Sequence, residues 1–219
     1  EVALAAYLEW GPACLSRFNG MFALAIWDGS RFFCARDRLG KKPFFYRCQG
    51  KTFEFSSEVK AFEGLTFVGN EVFDLFEFCP NEHTLYKDVF SLPPGHYLTY
   101  DPARGTLDRR SYWDLAHHFG DRLKDEHEAV DRFIELLESS VKLRMRADVP
   151  VTMFLSGGID STLVARLAGI EEAFTCQFAE FKASIDEELY ATDFAQRMGI
   201  KLHVVRPTKE EFLVDLPKL

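Results

Sequence analysis

The feature that most constrains this chain is a strand-like apolar run that ends abruptly in glycine. Val149 and Val151 to Leu155 are almost continuously apolar, the pattern of a strand covered on both faces of a parallel sheet. Ser156-Gly157-Gly158-Ile159-Asp160-Ser161 breaks the run. Two adjacent glycines let the backbone turn tightly and approach a ligand closely. Asp160, Ser161 and Thr162 are helix-start residues, and Leu163 to Ala168 continue as a helix. Unpaired backbone N–H groups at such a start face outward and suit a phosphate.

The pattern around this turn alternates. A strand at 173–178, a helix at 187–198, a strand at 201–205 and a helix from Lys209 complete a β-α-β-α-β run, which reads as a parallel α/β sheet with its ligand at the carboxyl ends of the strands. A long amphipathic helix at 126–145 precedes it, with Val130, Phe133, Ile134, Leu137, Val141 and Met145 on one face. The first part of the chain has a different grammar. After a helix at 1–10, strands at 21–27 and 31–36 flank an Asp28-Gly29 turn, and strands at 44–46 and 52–56 follow a charged loop. These four strands are expected to form one antiparallel sheet. Helices are expected at 58–62 and 71–78, a Pro93-Pro94-Gly95 turn between strands, and an edge strand at 106–113. Residues 116–125 read as a linker.

Composition narrows the function. The net charge of −8 argues against a general nucleic-acid surface, which needs a basic stripe. No apolar run approaches the length that spans a bilayer, and no signal segment opens the chain. Five cysteines, an odd number with no C-x-x-C pair, read as reduced, mostly buried thiols of a cytoplasmic protein. None has the setting of a nucleophile. No His/Cys set has zinc spacing.

The turn is not a P-loop, because no lysine follows the second glycine. Instead it resembles the pyrophosphate-binding loop of ATP pyrophosphatases. Further strings stand in line with it: Phe18-Asn19-Gly20-Met21-Phe22-Ala23, Ala35-Arg36-Asp37-Arg38-Leu39-Gly40-Lys41-Lys42-Pro43, Ser57-Glu58-Val59-Lys60-Ala61, Leu92-Pro93-Pro94-Gly95-His96, Asp186-Glu187-Glu188-Leu189-Tyr190-Ala191 and His203-Val204-Val205. With these, the chain resembles glutamine-hydrolysing asparagine synthase. The resemblance implies an α+β part at 1–115, the C-terminal portion of a class II glutamine amidotransferase domain (a partial Ntn-type αββα sandwich). A linker at 116–125 follows, and then the N-terminal portion of an ATP-dependent synthase domain at 126–219, of adenine nucleotide alpha hydrolase type. It implies an ATP- and glutamine-dependent ligase that converts aspartate to asparagine through a β-aspartyl-adenylate. Ser156, Gly157, Gly158, Ile159 and Ser161 would hold pyrophosphate, Asp160 a Mg²⁺ ion, and the backbone at Leu155 and Cys176 the adenine. The family's catalytic Cys and its other glutamine-holding residues match positions upstream of Glu1, so the chain reads as an internal fragment that hydrolyses no glutamine alone. Other carboxylates, β-lactam closure or a non-catalytic scaffold are the competing readings, and a homodimer stays open.

The remaining polar residues have plainer expectations. Arg36, Asp37 and Arg38 read as a salt-bridged structural loop rather than a substrate contact. Glu58 reads as a cap or first-turn charge, and Arg144 and Arg146, ahead of Asp148, as a solvated helix end. Asp186 and Glu187 divide evenly between helix capping and proximity to ATP. His203 reads as a core or ribose-side residue rather than a metal ligand.

Overall fold

A computed structural model describes residues 1–80, 82–119, 123, 125–177 and 187–216. The chain folds as two compact units, Glu1–Asp121 and Arg122–Leu219.

In the first unit, α1 (Val2–Trp10) is followed by a 3-10 turn (Gly11–Arg17) that contains Pro12. Strands β1 (Ala23–Trp27), β2 (Phe32–Arg36), β3 (Phe45–Gln49) and β4 (Thr52–Ser56) come next, then α2 (Glu71–Phe76), β5 (Val89–Ser91), β6 (His96–Asp101) and β7 (Thr106–Ser111). They form two antiparallel sheets, ordered β1-β2-β6-β7 and β4-β3-β5. The single four-stranded sheet expected from the first two hairpins is therefore wrong. Each hairpin turn reports its own local pairing, but it carries no information about which ladder the pair joins. The long-range partner of β2 is β6, and that of β3 is β5.

Side-chain alternation explains the layering. On β2, Phe33 and Ala35 face Ala6, Cys14 and Leu15 of the helical layer. Cys34, one residue out of phase, faces the second sheet with Leu98, Phe44, Tyr46 and Leu92. Phe53 bridges the sheets, stacking on Tyr100 at 4.7 Å and meeting Phe32 at 5.7 Å. The unit is thus a helix–sheet–sheet stack. The expected helix at 58–62 is only a 3-10 turn, Val59–Ala61, and Glu58 makes no side-chain cap bond. It pairs with Lys60 at 2.8 Å in solvent instead.

The second unit runs α3 (Glu126–Arg144), β8 (Met153–Phe154), α4 (Ile159–Ala168), β9 (Glu172–Cys176), α5 (Glu187–Met198), β10 (Lys201–Val205) and α6 (Lys209–Asp215). β8 and β10 both pair parallel with β9, giving the order β10-β9-β8. Both crossovers step the same way along this sheet, so equal handedness puts α4 and α5 on one face. There Leu155, Ala165, Ile170, Ala173, Ala191, Ala195 and Ile200 form the core. The expectation of a strand covered on both sides is not met among the described residues: Phe154, on the opposite face of β8, is 83% exposed. The ladder is also shorter than the apolar run, with only Met153 and Phe154 paired in β8. On α3 the stripe is buried only toward its end. Val141 is enclosed and Met145 packs on the core, whereas Val130, Phe133 and Ile134 stay exposed.

Candidate nucleotide site

The candidate site lies where the first parallel strand gives way to α4. Leu155 is buried, and its N–H donates to the Phe174 carbonyl at 2.8 Å. The strand is therefore held against β9 up to the residue before the turn. Gly157 then adopts φ +75°, a conformation that favours glycine. A second constraint is independent of φ. A Cβ on Gly157 would sit 2.6 Å from the Tyr190 Cβ and 2.7 Å from the Ala191 backbone nitrogen. α5 therefore presses directly on the turn, and no side chain fits between them. Gly158 is different, with φ −71° at the N-cap of α4. A Cβ there would meet only the Ser156 hydroxyl, at 3.4 Å.

The turn presents its polar groups outward. The Ser156 and Ser161 hydroxyls lie 3.0 Å apart, and Ser156 accepts the Gly158 N–H at 3.3 Å. Thr162 donates back to the Gly158 and Ile159 carbonyls, each at 2.9 Å, and so is used inside the helix. The N-cap Gly158 supplies no side-chain cap, which leaves first-turn N–H groups available to an external acceptor. Asp160 is exposed in that first turn. Cys176, at the end of β9, is exposed as well. The turn and Cys176 thus share the carboxyl edge of one sheet, while Leu155 contributes only its backbone.

The other candidates separate clearly. Arg36 donates to the carbonyls of Lys42, Leu92 and Gly40 at 2.7–2.8 Å, and to Ser91 Oγ at 3.0 Å. Asp37 is 2% exposed and accepts N–H bonds from Phe22, Leu39, Lys41 and Lys42. Burial pushes its carboxyl pKa up, but those four amides outweigh burial and hold it below the usual carboxylate value. Arg38 donates to the Phe18 and Ser16 carbonyls. The loop is structural, as expected, but backbone groups rather than salt bridges hold it. Arg144 donates to Ser140 O at 3.0 Å within α3, which fits the helix-end reading. His203 stacks on Phe174 at 4.7 Å and meets Glu172 at 3.1 Å. That pair, with Lys201, sits at the start of β9 and β10, away from the turn. Lys201 and His203 together lower the Glu172 pKa. Asp186 and the Glu187 side chain lie outside the described residues. Of the five thiols only Cys14 and Cys34 are buried, fewer than expected, and burial pushes Cys34 up to about 12.

Comparison with known proteins matches residues 1–113 to the family described as glutamine amidotransferase domain. The chain belongs to that family. Residues 132–219 match the family described as asparagine synthase, so the expected family resemblance is borne out. A putative glutamine-hydrolysing asparagine synthetase of Methanocaldococcus jannaschii is 36% identical over 186 residues, covering 80% of this chain and 35% of that protein. Asparagine synthetase 3 of Bacillus subtilis is 35% identical over 179 residues, covering 77% of this chain and 28% of that protein. The amidase chyE of Penicillium rubens is 33% identical over 245 residues, covering 96% of this chain and 35% of that protein. The chain thus spans about a third of the length of these relatives. A solved glutamine phosphoribosylpyrophosphate amidotransferase from B. subtilis covers 90% of this chain and 35% of its own at 14% identity, with a TM-score of 0.34, too low to inform the fold.

Two contacts in the second unit were not foreseen from the sequence, although their α5 residues stand in the Asp186-to-Ala191 string. Tyr190 and Ala191 shape the turn from α5, and Glu188 pairs with Arg206 just beyond β10. The first had a signal in the Tyr-Ala dipeptide near the start of a predicted helix, but its target lies 33 residues back at Gly157. Among the described residues, no group of three or more His, Cys, Asp or Glu side chains could hold a metal, and no helix is long and apolar enough to cross a membrane.

Proposed function

We propose that the protein is an ATP- and glutamine-dependent, amide-forming ligase whose synthase half activates aspartate as a β-aspartyl-adenylate. The observation that carries this reading is the Ser156–Ser161 turn. It stands at the carboxyl end of a parallel strand, with hydroxyls and first-turn amides outward and Gly157 fixed by α5. A carboxylate is a poor electrophile. Its oxygen attacks the α-phosphorus of ATP and pyrophosphate leaves. Ammonia from glutamine then attacks the acyl carbon and AMP leaves.

In this reading Ser156, Ser161 and the amides of Gly157, Gly158 and Ile159 bind the departing pyrophosphate. The backbones at Leu155 and Cys176 flank the adenine. The donor set suits Mg²⁺, which binds through one or two carboxylates with substrate phosphates and water. Asp160 offers one exposed carboxylate beside the phosphate-facing amides. The ion supplies charge neutralisation when bound.

The test is aspartate-dependent exchange of labelled pyrophosphate into ATP by the full-length protein. Exchange with aspartate is the expected result, and no exchange with any carboxylate would favour a scaffold. Two fungal relatives that match 96% of this chain are named amidases, which supports a second reading with a different acceptor. Exchange with another carboxylate but not with aspartate would select it.

A further inference from the structure

The phosphate-facing turn has no cationic side chain. Its one charged side chain, Asp160, is negative, yet a nucleoside triphosphate is strongly anionic. The carboxyl edge of the same sheet supplies a positive group just past β10. Arg206 directly follows Val205, the last residue of that strand. Pairing persists to this point, because the Gln177 N–H donates to the Val205 carbonyl at 3.0 Å. Two strand spacings place the end of β10 roughly 10 Å from the end of β8, a gap that a bound nucleotide and a long arginine side chain bridge together.

α5 links the two places. Glu188, in its first turn, forms an ion pair with Arg206. Immediately beyond it, Tyr190 and Ala191 press on Gly157. The helix that shapes the turn therefore also aims the guanidinium. The Glu188 side chain is 22% exposed and that of Arg206 51%, so the carboxylate is the sheltered partner and the guanidinium projects. An ion pair this exposed adds little to stability, which leaves orientation as its main consequence. A guanidinium with one edge on a carboxylate still has donors for phosphate oxygens.

We propose that Arg206 is a nucleotide-binding residue that contacts the triphosphate, with Glu188 as its positioning residue. The proposal rests on the ATP reading of the Ser156–Ser161 turn. Its test uses full-length protein, equilibrium titration with Mg-ATP, and pyrophosphate exchange. Arg206→Ala is expected to raise both the Kd and the KM for ATP about tenfold or more, the loss typical of a charge-assisted hydrogen bond. Arg206→Lys should recover part of this, since it keeps the charge without the planar fork. Glu188→Gln should raise the same constants by a smaller factor. The KM for the carboxylate, glutamine hydrolysis and the melting temperature should stay unchanged.

An unaltered ATP constant in Arg206→Ala, with active wild type, overturns the proposal alone. So does a raised KM for the carboxylate without one for ATP. Equal losses of melting temperature in Arg206→Ala and Glu188→Gln with unchanged ATP binding would make the pair a structural brace. Wild-type protein that binds no ATP removes the ATP reading and this proposal together. Wild type that binds ATP but exchanges no pyrophosphate leaves the titration to decide Arg206.

Discussion

The two charged loops of this protein use their side chains in opposite ways. In the Arg36–Lys42 loop the charged groups of the Arg-Asp-Arg triplet are turned onto backbone, with the Ser91 hydroxyl as an additional partner of Arg36. Arg36 ties the end of β2 to the residues after β5, and Asp37 gathers four amides. In the Ser156–Ser161 turn the hydroxyls touch mainly each other and their own turn, and Asp160 stands in solvent. The first loop has spent its polar capacity on folding. The second keeps its one carboxylate and its uncapped first-turn amides available, while its shape is enforced from outside by α5. Charge density in a motif therefore says little about function by itself. What matters is whether the donors and acceptors are already satisfied.

That contrast can be broken most forcefully at Asp37. Asp37→Ala strands four N–H donors in a buried place, and it should destabilise the first unit by about 4 kcal/mol. Chemical denaturation followed by a probe in that unit measures the loss, and a loss near zero would mean that water replaces the carboxylate.

Gly157→Ala probes the other loop next. It meets both the positive φ and the α5 backbone, so pyrophosphate exchange should fall at least about a hundredfold, close to 3 kcal/mol of barrier, with glutamine hydrolysis intact. Gly158→Ala, with φ −71° and only a hydroxyl nearby, should stay within a few fold. Equal losses at the two glycines would dismiss the clamp by α5.

The pH response sharpens the comparison further. Asp37 has a lowered pKa in the folded state, so its stabilisation is fully present above the unfolded carboxylate value. It is lost as pH falls through the lower folded value. Acid unfolding of the first unit should lose this dependence in Asp37→Asn. The smallest effect is expected at Glu172→Gln. The Glu172 carboxylate has a lowered pKa but is shared with solvent, so the melting temperature should barely move near neutral pH and the substitution should slightly flatten its acid dependence.

Much of this was legible in the chain. β4, α5 and β10 have the expected bounds because each is closed by its own local signals, such as Gly199 after α5. The Ser-Gly-Gly turn was legible because a strand running into glycine and a helix start has few other readings. The sheet membership of β1 to β4 was not legible, since it depends on β5 and β6 arriving much later in sequence. The exposed face at Phe154 was not legible either, because its hydrophobicity looks the same whether or not something covers it. Nor was the clamp on Gly157, which joins residues distant in the chain.

The spent and available loops are tested most directly by making one change in both places. Asp37→Asn and Asp160→Asn are compared in the full-length protein for melting temperature and pyrophosphate exchange. Asp37→Asn should lower the melting temperature of the first unit by about 10 °C and, below that transition, leave exchange in place. Asp160→Asn should leave melting unmoved and abolish exchange while glutamine hydrolysis continues. Full exchange in Asp160→Asn, or a loss of stability equal to that of Asp37→Asn, would contradict the account.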